Sequence, residues 1–207
     1  FFSTQGCNSK AVVEYTLSTI FLYARSLGLS VFDLKIGIIG YGNIGKNLAA
    51  VLHELGIRFL VNDPPLERGQ TRGNFYSNIK EVLACDVVTV HVPLTTEGEF
   101  LTKNLINNTK LRQLRENALL INTARGGVIN ESDLLDILDE RDDLYVLIDC
   151  WSNEPEIDES LASAVWRASP HIAGSSLESR RNSVSMLLGK LSSYFQTKQD
   201  SLQKAAN

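Results

Sequence analysis

Apolar and polar positions along this chain fall into blocks that switch between two periods. Residues 36–39, 58–62, 87–90, 118–121 and 145–148 are apolar runs of strand length. Near-continuous apolar runs bounded by polar turns read as strands buried on both faces. Between them, residues 43–55, 79–84 and 131–139 place apolar side chains at helical spacing. Gly56 is a good stop for the first of these helices, and Asn130 a good cap for the last. Residues 104–115 are expected to hold a helical turn or two. A helix over 9–27, with Ala11, Val12, Tyr15, Ile20 and Leu22 among its apolar positions, precedes the first strand, joined to it by a connector at 29–34. The second strand ends at Asp63-Pro64-Pro65, where the prolines cannot continue a ladder, and a polar loop is expected over 66–76. A long helix over 177–195 has Val184, Leu187, Leu188, Leu191 and Tyr194 on its apolar side. The tail at 196–207 is polar and is expected to fray.

Strands alternating with helices predict an α/β fold, a doubly wound parallel sheet with helices on both faces. Such sheets bind ligands at the carboxyl ends of their strands. Gly40, Asp63, His91, Thr123-Ala124-Arg125 and Asp149 fall at those ends.

The first strand runs into Gly40-Tyr41-Gly42-Asn43-Ile44-Gly45, with Asp63 at the end of the next strand. Strand, glycine turn, helix, strand and acid together make a Rossmann dinucleotide site. Gly40 permits the tight turn, Gly42 the approach of a pyrophosphate, and Gly45 close packing of helix on strand. The pyrophosphate would sit at the positive end of the helix beginning near Asn43 and Ile44. Asp63 can bond both ribose hydroxyls and would repel a 2′-phosphate, which selects NAD over NADP; Arg68 and Arg72 nearby pull the other way.

Bulk properties narrow the class. With 207 residues, the chain suits one large domain, or one domain plus pieces of another. A net charge of −4 with no sustained basic patch excludes a nucleic-acid partner. No apolar stretch is long enough to span a bilayer, so no membrane role is expected. Cys7, Cys85 and Cys150 form no CxxC pair, which implies neither a disulfide framework nor a metal site and fits a reducing cytoplasm. The sole methionine is Met186 and the first residue is Phe1, so the chain reads as a fragment of a longer protein.

Oxidising a secondary alcohol with NAD requires a base and a cation beside the cofactor. His171, in Pro170-His171-Ile172-Ala173-Gly174, is the candidate base. Glu154, in Asn153-Glu154-Pro155, is the candidate orienter of its imidazole. Arg125, in Asn122-Thr123-Ala124-Arg125-Gly126-Gly127, is the candidate cation, its planar fork suiting a carboxylate. Spacing alone does not bring the three together. Among the remaining candidates, His91 reads as a buried, hydrogen-bonded residue and His53 as a solvated one. Residues 139–143 read as a solvated helix end, and Cys150 as a packing residue.

The succession of the glycine fingerprint, Ala124-Arg125-Gly126-Gly127, Asp149-Cys150-Trp151 with Glu154-Pro155, and Pro170-His171-Ile172-Ala173-Gly174 resembles the D-2-hydroxyacid dehydrogenase family, over residues 6–195. The resemblance implies catalytic roles for Arg125, Glu154 and His171. It implies cofactor contacts at Gly40, Gly42, Asn43, Ile44, Gly45, Asp63, Val92, Pro93, Thr123, Ala124, Arg125, Asp149 and Gly174. Substrate contacts fall on Arg125, His171 and Ser175. Gly6-Cys7-Asn8, Val12-Val13-Glu14-Tyr15, the Asp63-Pro64-Pro65 exit, His91-Val92-Pro93-Leu94-Thr95 with Gly98 and Thr102, and Leu177-Glu178 narrow it to a branch acting on a phosphorylated 2-hydroxy acid. Ser175 stands where that branch often has a tyrosine, and Val92 where it often has a threonine.

The implied layout is a linker helix from the substrate domain (1–30), an NAD-binding domain (31–174), and a helix returning to the substrate domain with a polar tail (175–207). A homodimer is implied for the full-length protein. Other dehydrogenases of the family, acting on 3-phosphoglycerate, glyoxylate or lactate, and a non-catalytic NAD-sensing protein of the same fold are the alternatives. A sensor could lose the trio, and here all three positions are filled.

Overall fold

The computed structural model describes residues 2–69 and 75–205, with side chains except at 68–69 and 199–205. Arg72 and the side chain of Arg68 lie outside the described residues. Helix α1 (Ser9–Ser26) leads through a 3-10 turn, Val31–Asp33, to β1 (Lys35–Ile39), α2 (Asn43–Glu54), β2 (Arg58–Asn62) and α3 (Pro64–Gly69). Then follow α4 (Ile79–Leu83), β3 (Val87–Val90), α5 (Asn108–Leu111), β4 (Leu119–Asn122) and α6 (Glu131–Glu140). The chain continues through β5 (Tyr145–Ile148), α7 (Glu159–Ala164), β6 (Arg167–Ala168) and α8 (Leu177–Ala205).

The strands form one parallel sheet in the order β2-β1-β3-β4-β5-β6. Beyond β2, Tyr76 adds a single parallel bridge to Val61. The strand order reverses between β1 and β3, and that switch opens a crevice at the carboxyl ends.

Successive side chains of each strand go to opposite faces, and each face has its own core. Val88, Val90, Leu120, Val146 and Ile148 pack with Val82 and Leu83 of α4, Leu111 of α5 and Leu134 and Ile137 of α6. Ile36, Ile38, Val87, Leu119, Ile121 and Leu147 pack with Val13, Ile20, Tyr23 and Ala24 of α1 and Leu48, Ala49 and Leu52 of α2. Burying both faces explains why the strands read as unbroken apolar runs.

Several expectations change. Residues 66–76 are not all loop, because α3 begins at Pro64. Asp63 caps it, accepting from the Leu66 amide at 3.1 Å, and proline is tolerated at a helix start because its missing N–H would have no partner there. Helix α7 and the two-residue β6 were not anticipated; two residues are too few to show a period. Leu22 is 51% exposed, since α1 buries the neighbouring stripe of Val12, Val13, Thr16, Ile20 and Tyr23. Helix α8 does not end near residue 195 but continues to Ala205. Its apolar side faces outward, with Val184 59% and Leu188 61% exposed. A helical stripe records that a side is apolar, not what it meets. Helix α8 meets the rest of the chain along the N-terminal segment, through Ser183 to Thr4 at 3.2 Å and Lys10 to Glu178 at 3.6 Å. The charged run at 139–143 is only partly solvated. Arg141 pairs with Asp143 and donates to the carbonyls of Leu114 and Arg115, tying α6 to the loop before β4.

Candidate active site

The turn after β1 has the shape a dinucleotide requires. Gly40 has φ +98°, and a Cβ there would lie 2.6 Å from the His91 carbonyl oxygen, so only glycine fits. A Cβ on Gly45 would overlap the Gly40 carbonyl oxygen. Gly42 differs: a Cβ there would meet nothing within 4 Å. Contacts within the protein do not demand a glycine at 42, whereas a ligand lying against the backbone there would. Gly42 is also the N-cap of α2, and no side chain caps that helix. The first amides of α2, from Asn43 and Ile44 onward, thus have no side-chain cap, as a helix end that receives a phosphate would.

Asp63 ends β2 with both carboxylate oxygens engaged. Oδ2 accepts from the Tyr41 amide at 2.7 Å and Oδ1 from the Leu66 amide. Each oxygen keeps a lone pair, so the group is oriented and still able to accept hydroxyls. It borders a cavity of about 420 Å³ lined also by Asn62, Val92, Pro93 and Leu101, apolar on one side as a purine requires.

A second cavity, of about 290 Å³, is lined by Asn8, Ile44, Thr123, Arg125, Asp149, His171, Gly174 and Ser175. Four strand-end loops converge there. The buried Asn122 donates to the carbonyls of Arg125 at 3.1 Å and Cys150 at 3.3 Å, and accepts from the Ala124 amide at 3.1 Å. It thereby ties the loop after β4 to the loop after β5. A Cβ on Gly126 would overlap the Trp151 carbonyl, so these loops touch through glycine. Arg125 is exposed, with one Nη1–H donating to the Ala124 carbonyl at 2.6 Å; the rest of its fork remains for an incoming carboxylate. The Thr123 hydroxyl is buried without a protein partner among the described residues, an orphan that a ligand in the cavity would satisfy.

His171 Nδ1 lies 2.8 Å from Glu154 Oε2. A carboxylate oxygen accepts, so Nδ1 carries the proton and Nε2 is left for the cavity. Glu154 Oε1 accepts from the Trp151 amide at 2.8 Å. Burial alone would raise the Glu154 carboxyl, but the bonds from His171 and Trp151 and the Arg125 charge outweigh it, and the net direction is down. His171 itself has φ +53°, a left-handed backbone uncommon for a side chain of this size.

Asp149, fully buried, holds that turn. Its carbonyl accepts from the His171 amide at 2.8 Å, and its carboxylate accepts from the Ile172 amide at 2.8 Å and the Ala173 amide at 3.0 Å. Across the cavity, a Cβ on Gly174 would lie 2.5 Å from Asn8 Nδ2, so the N-terminal segment forms one wall. Asn8 was missed as a site residue because nothing local marks it; only tertiary packing brings it against Gly174. His91 matches its expected role. Its Nε2 lies 3.0 Å from Thr89 Oγ1, and burial pushes its pKa down to about 3. Burial also pushes the Cys150 thiol up to about 12, which suits packing and not nucleophilic work.

Residues 16–173 match the family model described as D-isomer specific 2-hydroxyacid dehydrogenase, NAD binding domain. Among curated proteins, the erythronate-4-phosphate dehydrogenase of Hahella chejuensis is 42% identical over 194 residues, 94% of this chain and 50% of that protein. Its Escherichia coli counterpart is 39% identical over 180 residues, 87% of this chain and 48% of that protein. The chain thus spans about half the length of the curated relatives it matches. Among solved structures, NAD-bound 3-phosphoglycerate dehydrogenase of Entamoeba histolytica is 26% identical with a TM-score of 0.75, over 93% of this chain and 63% of that one. NAD-bound formate dehydrogenase of Staphylococcus aureus, 22% identical with a TM-score of 0.76, over 92% of this chain and 63% of that one, shares the fold.

Proposed function

Because the chain belongs to the D-isomer specific 2-hydroxyacid dehydrogenase family and holds its NAD-binding domain, we propose that the whole protein oxidises 4-phospho-D-erythronate to 2-oxo-3-hydroxy-4-phosphobutanoate. This step serves the biosynthesis of pyridoxine and pyridoxal 5′-phosphate. The observation that supports it is the 2.8 Å bond between His171 Nδ1 and Glu154 on the cavity that Arg125 also lines. The names of relatives 37–42% identical supply the substrate.

NAD, when bound, accepts the hydride. Gly40, Gly42 and Gly45 would leave room for its pyrophosphate at the amides of Asn43 and Ile44. Asp63 would take the adenosine ribose, Val92 and Pro93 would border the adenine, and Thr123, Ala124, Asp149 and Gly174 would frame the nicotinamide. Arg125 would grip the C1 carboxylate and the C2 oxygen, with Ser175 beside it. His171 Nε2 would accept the C2 hydroxyl proton, and Glu154 would stabilise the imidazolium so formed.

Residues 1–30 and 175–207 are assigned to the linkage with a substrate domain and residues 31–174 to the NAD-binding domain; the 4-phosphate is assigned to that substrate domain. The full-length protein is assigned as a homodimer of the cytoplasm. Cys7, Cys85 and Cys150 are all free thiols, which suits a reducing compartment. Among the described residues, no helix is long and apolar enough to cross a membrane.

The test is NADH formation by the full-length protein on 4-phosphoerythronate and 3-phosphoglycerate side by side. Preference for the first is expected. Preference for the second would move the protein to another branch of the family, and activity on neither, with intact NAD binding, would favour a sensor.

A further inference from the structure

The turn bearing His171 is held from behind by side chains that touch neither cavity. Ser169 Oγ donates to Asp149 Oδ1 at 2.7 Å. The Tyr15 hydroxyl on α1 lies 2.6 Å from the same Ser169 Oγ. Ser169 has one hydroxyl proton and spends it on Asp149, so the Tyr15 hydroxyl is the donor of its pair. The chain of bonds therefore runs one way, from Tyr15 to Ser169 to Asp149. Trp151 adds a brace, its Nε1–H donating to the Ser169 carbonyl at 2.9 Å.

The order of these bonds has a mechanical result. A left-handed backbone at a non-glycine residue is strained and persists only where its surroundings over-determine it. For His171 those surroundings are the three amide bonds to Asp149. Asp149 Oδ1 accepts from both the Ile172 amide and the Ser169 hydroxyl while Oδ2 accepts from the Ala173 amide, so the hydroxyl is the third bond fixing the plane of the carboxylate. Without that hydroxyl, Asp149 keeps the amides of Ile172 and Ala173 but loses the one side-chain bond that ties its carboxylate, through Ser169, to α1. Burial pushes the Tyr15 phenol above its ordinary pKa, which keeps its proton available for donation.

We propose that Tyr15 and Ser169 are positioning residues, a hydrogen-bond relay by which α1 sets the orientation of Asp149 and the His171 turn and so shapes the nicotinamide end of the cofactor site. The proposal rests on the assignment of that cavity to nicotinamide. Among the described residues, the hydrogen bonds of the relay run to Asp149 and not to the Gly42 turn or the Asp63 cavity, so its effect is expected at one end of the dinucleotide.

That confinement supplies the test. Dissociation constants for NADH and for ADP-ribose, which lacks the nicotinamide, are measured by fluorescence and calorimetry on the chain and on its Tyr15→Phe, Ser169→Ala and Ser169→Thr variants. Loss of a hydrogen bond holding a charged group is expected to weaken NADH binding roughly tenfold in Tyr15→Phe and Ser169→Ala. ADP-ribose binding should stay unchanged, and Ser169→Thr, which keeps the hydroxyl, should restore NADH binding. Equal weakening of both ligands would mean general damage and overturn the relay. Unchanged NADH binding in Tyr15→Phe would overturn it as well, a variant that loses one oxygen and keeps the ring. A wild-type chain that binds ADP-ribose as tightly as NADH would instead remove the nicotinamide assignment on which the relay rests.

Discussion

His171 Nδ1 and Glu154 Oε2, seventeen positions apart on different loops, lie 2.8 Å from each other. The bond fixes the tautomer that leaves Nε2 free for the cavity. Replacing His171 with alanine in the full-length protein is expected to lower turnover by about 10²–10⁴, with NAD affinity almost unchanged. Steady-state rates beside NADH titration check this, and near wild-type turnover would remove His171 as the base.

The glycines make a sharper distinction. Gly42→Ala should leave thermal stability close to wild type, because its Cβ meets nothing, while NAD binding weakens more than about tenfold through contact with the ligand. Gly45→Ala should lose both, since its Cβ overlaps the Gly40 carbonyl. Melting curves with and without NAD separate the two. Equal stability losses would show that Gly42 is needed for folding.

Asp63 combines two tasks. Asp63→Ala should cost about 1 kcal/mol through the lost cap on α3 and also weaken NAD. Asp63→Asn keeps one acceptor oxygen, enough for the Leu66 cap but not for the Tyr41 amide as well, and loses the charge, so discrimination against NADP should relax with less loss of stability than in Asp63→Ala. The ratio of NAD to NADP affinity is the readout, and an unchanged ratio in both variants would contradict the ribose assignment.

Acidification should weaken the His171–Glu154 pair in a set window. The folded-state pKa of Glu154 lies below its ordinary value of 4.5. A depressed carboxylate contributes stability that is full above the ordinary value and is lost as pH falls through the folded value. The melting temperature of Glu154→Gln should therefore approach that of wild type as pH drops below the ordinary glutamate range. A gap of constant size across that range would contradict it.

Finally, the chain alone should bind NAD and show little or no turnover on 4-phosphoerythronate, because the proposed phosphate contacts lie in the remainder of the relatives' length. Clear turnover by this chain would place those contacts within residues 1–207.

Much of this was legible before the structure. Near-continuous runs such as 87–90 signalled a sheet buried on both faces, and Asn130 marked the start of α6 as the cap it is, accepting from the Asp133 amide at 3.2 Å. Asp63-Pro64-Pro65 was legible as a strand end but misread as a loop entry. The same residues are also a good helix start, and local pattern does not rank the two.

What the sequence by itself determined was the set of parts: alternating strands and helices, the glycine turn with its acid, and the motifs holding Arg125, Glu154 and His171. These are encoded within a few positions, where period, turn chemistry and propensity act directly on the backbone. Only the tertiary structure decided which parts meet. It set Asn8 against Gly174, stacked Gly126 on Trp151, linked Tyr15 to Asp149 through Ser169 across more than a hundred positions, and turned the stripe of α8 outward. Such contacts depend on where distant segments pack, and no local pattern of polar and apolar residues records that.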